Sequence, residues 1–96
     1  MDLTSPKTIK RLLFHYGIHP SRHLGQNFLI NKGILNKIIQ TAQITKNDII
    51  LEMGSGLGTL TQELAKRAKR VIAVEKDQKM IEISKETLKD CKNVKI

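Results

Sequence analysis

The chain has 96 residues, and its 17 Lys and Arg residues against 9 Asp and Glu residues give a formal net charge of +8. Hydrophobic residues make up 40% of the sequence, which supports a folded core, while the length excludes repeat arrays and two-domain enzymes. A single cysteine, Cys91, excludes an internal disulfide scaffold, and no Cys/His cluster has metal-ligand spacing, so we expect no metal.

The sequence also lacks the hydrophobic segments that membrane proteins carry. Its longest apolar runs, residues 49–51 and 71–74, are far shorter than the roughly 20 residues that span a bilayer. The N-terminus has no apolar region typical of a secretory signal. We therefore expect no membrane association and a cytoplasmic, reducing location. The basic composition of residues 1–23 leaves a mitochondrial presequence as an alternative.

Positive charge is concentrated near the N-terminus. Residues 1–40 contain six Lys or Arg residues and one acid, Asp2, which gives this segment a net charge of +5. Cationic side chains that neutralise phosphates release condensed counterions, which favours binding to nucleic acid. The charge pattern therefore indicates either a nucleic-acid partner or a solvated basic face, and charge alone leaves both open.

Two helices are predicted before residue 45. Thr4, Ser5 and Pro6 indicate a helix start, with a hydroxyl cap followed by proline, and Gly17 indicates its end. The apolar residues that share one face of this helix are Ile9, Leu12, Leu13 and Tyr16. Residues 18–30 show no periodicity and predict an irregular connector. A second helix capped by Asn31 is expected to bury Ile34, Leu35, Ile38, Ile39 and Ala42.

From residue 49 onward the pattern alternates between strands and helices. Residues 49–53 predict a strand buried on both faces, residues 59–68 a helix and residues 71–75 a second buried strand. A helix capped by Asp77 and the beginning of a strand at Asn93 follow. This order predicts a parallel α/β sheet with right-handed crossovers. Since doubly wound domains usually have five or more strands, we expect a truncated domain, with a helical extension over 1–48 and the first part of a cofactor-binding domain over 49–96.

A glycine-rich turn follows the first predicted strand. Residues 52–58 read Glu-Met-Gly-Ser-Gly-Leu-Gly, and glycines at such a turn let a ligand approach the main chain. Glu75 lies 21 residues beyond Gly54 at the end of the next strand, where a carboxylate can accept both hydroxyl hydrogens of an adenosine ribose. Thr59 occupies the position where the dinucleotide fingerprint has its third Gly or Ala, which disfavours NAD and FAD. The alternative is a turn that only permits close packing.

Two separated motifs resemble one enzyme family. Residues 52–58 resemble the first motif of Rossmann-like methyltransferases that use S-adenosyl-L-methionine. Residues 23–29, His-Leu-Gly-Gln-Asn-Phe-Leu, resemble the signature upstream of that fold in ribosomal RNA adenine dimethyltransferases. Residues 51–61 and 71–75 match the same family in order and spacing. The resemblance implies a Rossmann-like fold and transfer of two methyl groups to the exocyclic amine of adenines in ribosomal RNA.

The family has two main branches, and the sequence carries features of both. Leu24, Gly25 and Leu29 resemble the branch that modifies adjacent adenines of small-subunit ribosomal RNA in ribosome biogenesis, which we favour. Ser55 is closer to the branch that modifies large-subunit RNA and confers macrolide resistance. Two further alternatives are a nucleotide-binding oxidoreductase fragment and a non-catalytic RNA-binding factor of ribosome assembly.

The resemblance also implies roles for matching residues. Gln26, Asn27 and Leu29 would line the cofactor site from the connector. Gly54 and Gly56 would offer main-chain contacts to the methionine end, and Glu75 would hold the ribose. In the family an Asn-Leu-Pro-Tyr-like motif after the fourth strand grips the adenine, and this sequence has no such motif. We therefore name no catalytic residue and expect the chain to be inactive by itself.

Overall fold

The structure, a computed structural model, describes residues 1–18 and 31–96. This part of the chain forms four helices and three strands. In chain order they are α1 (Pro6–His15), α2 (Lys32–Ala42), β1 (Ile49–Met53), α3 (Thr59–Arg67), β2 (Arg70–Val74), α4 (Gln78–Thr87) and β3 (Val94–Lys95). The strand and helix order predicted from residue 49 onward is confirmed. None of the described helices is long and apolar enough to cross a membrane.

The three strands form one parallel sheet in the order β1-β2-β3. Ile49 is in register with Arg70 at one end of the first pair, and Met53 is in register with Val74 at the other. The carboxyl ends of β1 and β2 therefore lie side by side. As a result, the loop that follows Met53 and the residue that follows Val74, Glu75, leave the sheet at the same edge.

The predicted helix caps are confirmed. Side-chain oxygens of Ser5, Asn31 and Asp77 each accept hydrogen bonds from main-chain N–H groups in the first turn of α1, α2 and α4. Such caps satisfy donors that have no partner within the helix. Gly17 follows α1 with a φ of +70°, the left-handed conformation expected of a glycine that ends a helix.

The buried apolar side chains form two clusters. The first lies between α1, α4 and the loop after β1, and it consists of Leu3, Ile9, Leu12, Leu13, Ile18, Leu57, Met80 and Ile83. The second lies between α2, α3 and the sheet, and it consists of Ile39, Leu64, Ala65, Ala68 and Val71. The first cluster is reinforced by the Tyr16 hydroxyl, which donates a 2.7 Å hydrogen bond to the Glu86 carboxylate. The pKa of Tyr16 is raised, chiefly by this hydrogen bond.

The prediction that β1 is buried on both faces is wrong. Ile49, Leu51 and Met53 are exposed, with 63% of Leu51 open to solvent. Ile50, on the opposite face, packs against the second cluster. Among the described residues, α2 and α3 pack only against the face of β1 that carries Ile50. The opposite face, which carries Ile49, Leu51 and Met53, therefore has no described helix over it.

The predicted buried face of α2 is also too wide. Leu35 and Ile39 are buried, whereas Ile34 is 59% exposed and Ile38 and Ala42 are exposed as well. Residues four apart form one narrow stripe along a helix, and the buried stripe of α2 consists of Leu35 and Ile39, of which Ile39 packs in the second cluster with side chains of α3. Ile34 and Ile38 each come one residue before a buried residue of this stripe, so their side chains are turned away from the contact with α3.

Candidate functional site

The loop between β1 and α3 is a tight turn fixed to the end of β2. The N–H groups of Gly54 and Ser55 donate to the Val74 carbonyl at 2.7 and 3.2 Å, and the Gly58 N–H donates to the Ser55 carbonyl at 3.0 Å. Gly54, Gly56 and Gly58 have φ values of +71°, +56° and +91°. Only glycine adopts this left-handed region without strain from a Cβ atom, so the sequence of the turn fixes its path.

The three glycines of the turn have different surroundings. A Cβ atom built on Gly54 or Gly56 meets no atom within 4 Å. A Cβ atom on Gly58 would lie 3.0 Å from the Leu88 side chain and 3.0 Å from the Thr87 hydroxyl. Gly58 is therefore needed for close packing, while Gly54 and Gly56 leave free space beside their main-chain atoms. The packing-only alternative accounts for Gly58 and not for the other two.

Glu75 reaches from the end of β2 onto this loop. Its Oε1 accepts a hydrogen bond from the Gly56 N–H at 2.8 Å, and its Oε2 accepts one from the Asp77 N–H at 2.9 Å. The structure thus brings together Gly54, Gly56 and Glu75, three of the residues predicted to form the site. A carboxylate has about four acceptor positions, so Glu75 retains capacity for hydroxyl donors of a ligand.

The remaining predicted site residues belong to the connector. Gln26, Asn27 and Leu29 lie outside the described residues, and their contribution stays a prediction.

A partly buried pair that the sequence analysis did not single out links the two sides of the loop. The Thr61 hydroxyl, fully buried in α3, donates a 2.5 Å hydrogen bond to Oε1 of Glu52 in β1. Burial raises the pKa of Glu52, and the hydrogen bond from Thr61 opposes part of that shift. The available signal was the spacing: a threonine in the first turn of α3 lies close to the strand that leads into the loop.

Helix α4 holds the loop from its other side. The Thr87 hydroxyl donates to the Leu57 carbonyl at 2.6 Å, and the Gln62 side-chain amide donates to the Thr87 carbonyl at 3.0 Å. Ser55 is only 7% exposed, and its hydroxyl has no hydrogen-bond partner within the part of the chain that the structure describes. The loop is therefore held by three elements, β2, α3 and α4. Residues 1–18 and 31–96 contain no cluster of three or more His, Cys, Asp or Glu residues that could hold a metal.

Comparison with known proteins agrees with this geometry. Residues 18–96 match the family profile described as ribosomal RNA adenine dimethylase. The chain belongs to this family. It is 48% identical over 96 residues to a Natranaerobius thermophilus protein named ribosomal RNA small subunit methyltransferase A. That alignment covers 100% of this chain and 32% of the relative, so the chain spans about a third of the relative's length.

Solved structures of methyltransferases share the fold of this family member. A dimethyladenosine transferase from Plasmodium falciparum aligns with a TM-score of 0.63 at 42% identity, over 68% of this chain and 25% of that one. The 23S rRNA methyltransferase ErmE aligns with a TM-score of 0.67 at 35% identity, over 72% and 28%. Coclaurine N-methyltransferase, bound to N-methylheliamine and SAH, aligns with a TM-score of 0.59 at 29% identity, over 66% and 20%. The expected Rossmann-like methyltransferase fold is confirmed.

Proposed function

We propose that this protein is the N-terminal, cofactor-binding part of an S-adenosyl-L-methionine-dependent ribosomal RNA adenine N6,N6-dimethyltransferase. Its substrate would be adjacent adenines of small-subunit ribosomal RNA, and its place of action the cytoplasm. The family membership and the name of the Natranaerobius thermophilus relative support the reaction and the choice of subunit. The ligand in the coclaurine N-methyltransferase structure supports the cofactor.

The observation that carries the cofactor proposal is the contact between Glu75 and the loop. A carboxylate 2.8 Å from the Gly56 N–H stands beside the free space at Gly54 and Gly56. The two ribose hydroxyls would donate to the unused acceptor positions of Glu75, and the methionine end would lie along the bare main chain. Gln26, Asn27 and Leu29 would close the site from the connector. When bound, S-adenosyl-L-methionine supplies a methyl group that its sulfonium already activates.

The same contact argues against a dinucleotide cofactor. A pyrophosphate requires free N–H groups on the glycine loop, and here the Gly56 N–H already donates to a carboxylate. S-adenosyl-L-methionine carries no phosphate, so it does not require that N–H group.

The residues present indicate which steps of the reaction this chain can serve. Gly54, Gly56 and Glu75 would bind and orient the methyl donor, and alignment of donor and acceptor supplies a large share of the rate in such transfers. Gripping an unstacked adenine requires an aromatic face and polar groups. This sequence has no Asn-Leu-Pro-Tyr-like motif, and the hydroxyl of its one tyrosine, Tyr16, donates a hydrogen bond to Glu86. We therefore expect the chain to bind cofactor and to leave ribosomal RNA unmethylated.

Calorimetric titration tests the proposal. The wild-type chain should bind S-adenosyl-L-methionine in preference to NAD, and Glu75→Gln should weaken that binding by about 10- to 150-fold, since a hydrogen bond to a charged group is worth about 1.5–3 kcal/mol. The matched control is Glu82→Gln, which removes the same charge from an exposed position on α4. This control should bind like the wild type.

A ribose-modified ligand separates direct contact from disturbance of the loop. If Glu75 holds the ribose, the wild type should discriminate against a 2′-deoxy analogue of the cofactor and Glu75→Gln should not. Equal discrimination by both proteins would contradict the assignment. Binding of NAD but not of S-adenosyl-L-methionine would support the oxidoreductase alternative. RNA binding without any cofactor affinity would support a non-catalytic assembly factor.

The large-subunit reaction remains a second candidate because of two observations. Ser55 resembles that branch, and the 35% identity to ErmE extends over 72% of this chain. Binding of the labelled chain to purified small and large ribosomal subunits would separate the two. Preference for the large subunit would favour the second candidate.

A further inference from the structure

One face of α1 combines positive charge with an exposed aromatic ring. Lys7, Lys10, Arg11 and Phe14 recur at intervals of three and four residues, which places them on one side of the helix. All four are exposed, and Phe14 is 87% open to solvent. We call these four residues the α1 face. The α1 face therefore offers one exposed aromatic ring with three cations beside it.

The α1 face is rigidly presented. Ile9, Leu12 and Leu13 on the opposite side of α1 are buried in the first core cluster. The residue after the helix, Tyr16, is tied to α4 by its hydrogen bond to Glu86, and its carbonyl accepts a 3.4 Å hydrogen bond from Lys79. The main chain beneath the α1 face is therefore already ordered, and binding would have to fix only the side chains.

The charges of the α1 face are not neutralised within the described part of the chain. Helix α1 contains no acidic residue, and the ion pairs found in residues 1–18 and 31–96 join Glu63 to Lys66 and Arg67. Three adjacent cations without acidic partners favour a polyanion. The whole chain, at +8, reinforces the same preference.

We propose that the α1 face binds a single-stranded segment of RNA, with one base stacked on Phe14 and phosphates held by Lys7, Lys10 and Arg11. Cations beside an aromatic ring are the usual combination in proteins that bind single-stranded nucleic acid. An anionic membrane is the weaker fit, because one aromatic side chain gives little apolar area to insert. The inference rests on the proposed function only in its choice of RNA as the polyanion.

Fluorescence anisotropy with a short labelled oligoadenylate tests the stacking. Phe14→Ala should weaken binding by about 5- to 150-fold, the loss expected for one stacked base. Phe14→Tyr keeps an aromatic face at an exposed position, and it should bind like the wild type. The side chain is exposed, so neither change should alter the fold, as circular dichroism can verify. Equal binding by Phe14→Ala and the wild type would overturn the stacking role.

The salt dependence of the same assay tests the phosphate contacts. Replacing Lys7, Lys10 and Arg11 by Gln should reduce the slope of log K against log salt by about 2, since each contact to single strands contributes about 0.7. The matched control replaces the exposed Lys85, Lys89 and Lys92 by Gln, which removes equal charge elsewhere. An equal loss in both triple variants would mean diffuse attraction and would overturn the proposal. Tighter binding to anionic phospholipid vesicles than to RNA would also overturn it.

Parallel titration with S-adenosyl-L-methionine separates this inference from the proposed function. Variants of the α1 face should retain the cofactor affinity of the wild type. Loss of RNA binding in Phe14→Ala with cofactor affinity intact would support the α1 face. A wild type that binds RNA through Phe14 without any cofactor affinity would contradict the proposed function alone.

Discussion

The two kinds of glycine in the loop predict that alanine substitutions at Gly54 and Gly58 will fail in different ways. Both residues have positive φ, so both substitutions should cost about 1–2 kcal/mol in backbone strain. At Gly58 the new methyl group would also lie 3.0 Å from Leu88 and Thr87, and overpacking of this kind adds about 1–3 kcal/mol. Gly58→Ala should therefore cost about 2–5 kcal/mol, a large share of the total stability of a small domain.

Urea unfolding followed by circular dichroism measures this difference, and calorimetry measures the effect on the proposed site. Gly54→Ala should remain folded and lose at least about tenfold in affinity for S-adenosyl-L-methionine, because its methyl group enters the space that we assign to the cofactor. Gly58→Ala should lose stability, while its folded fraction should keep its affinity.

A second variant keeps the test informative if Gly58→Ala unfolds. Leu88→Ala removes one of the two side chains that the new methyl group meets, so the double variant should be more stable than the sum of the single changes predicts. Equal destabilisation by Gly54→Ala and Gly58→Ala, with no coupling to Leu88, would refute the distinction between an open and a packed glycine. Unchanged cofactor affinity in Gly54→Ala would refute the location of the cofactor.

Three further predictions concern stability and association. Ser55→Ala should raise the free energy of unfolding by about 1 kcal/mol, since it removes a buried hydroxyl without a partner in the described residues. A lower free energy of unfolding, measured with urea, would contradict this. Burial raises the pKa of Glu52, so its ionised form destabilises the fold. Glu52→Gln should therefore unfold at higher urea concentration at neutral pH. This gain in stability should shrink as the pH falls through the raised pKa of Glu52 and should be absent below about 4.3, the usual glutamate pKa; a gain that persists in acid would refute this cause. The uncovered face of β1 exposes Ile49, Leu51 and Met53, and such an apolar patch favours self-association of the chain. Leu51→Lys should therefore lower the self-association measured by sedimentation equilibrium, whereas Gln40→Lys, an equal charge change at another exposed site, should leave it unchanged.

Much of the fold could be predicted because its signals are local. The caps at Ser5, Asn31 and Asp77 depend on one side chain and the N–H groups of the following turn. The alternation of strands and helices after residue 49 depends on short runs of apolar residues. Interactions of this range are fully encoded in neighbouring residues, so a single sequence suffices to predict them.

The site was predictable in part because a parallel sheet makes one distant contact almost obligatory. Once β1 and β2 pair in parallel, the residue after Val74 must leave the sheet beside the loop after Met53. This register is what brings Glu75 within hydrogen-bond distance of Gly56. The contacts of Thr87 with Leu57 and of Thr61 with Glu52 depend instead on how each helix is rotated against the sheet, which composition and spacing do not specify.

The error at β1 has a different origin. Apolar residues at every position of a strand predict burial on both faces, because such a strand is stable only with helices over each face. Residues 49–53 come close to that condition, since four of the five are apolar and only Glu52 is not, yet α2 and α3 cover only the face of Ile50. The residues of β1 therefore indicate a second layer that the described helices do not provide. The chain spans about a third of the Natranaerobius thermophilus relative, and its strand composition suits an environment with more protein around it. The local sequence of β1 thus records a requirement for burial on both faces, and a strand meets that requirement only where protein covers each face.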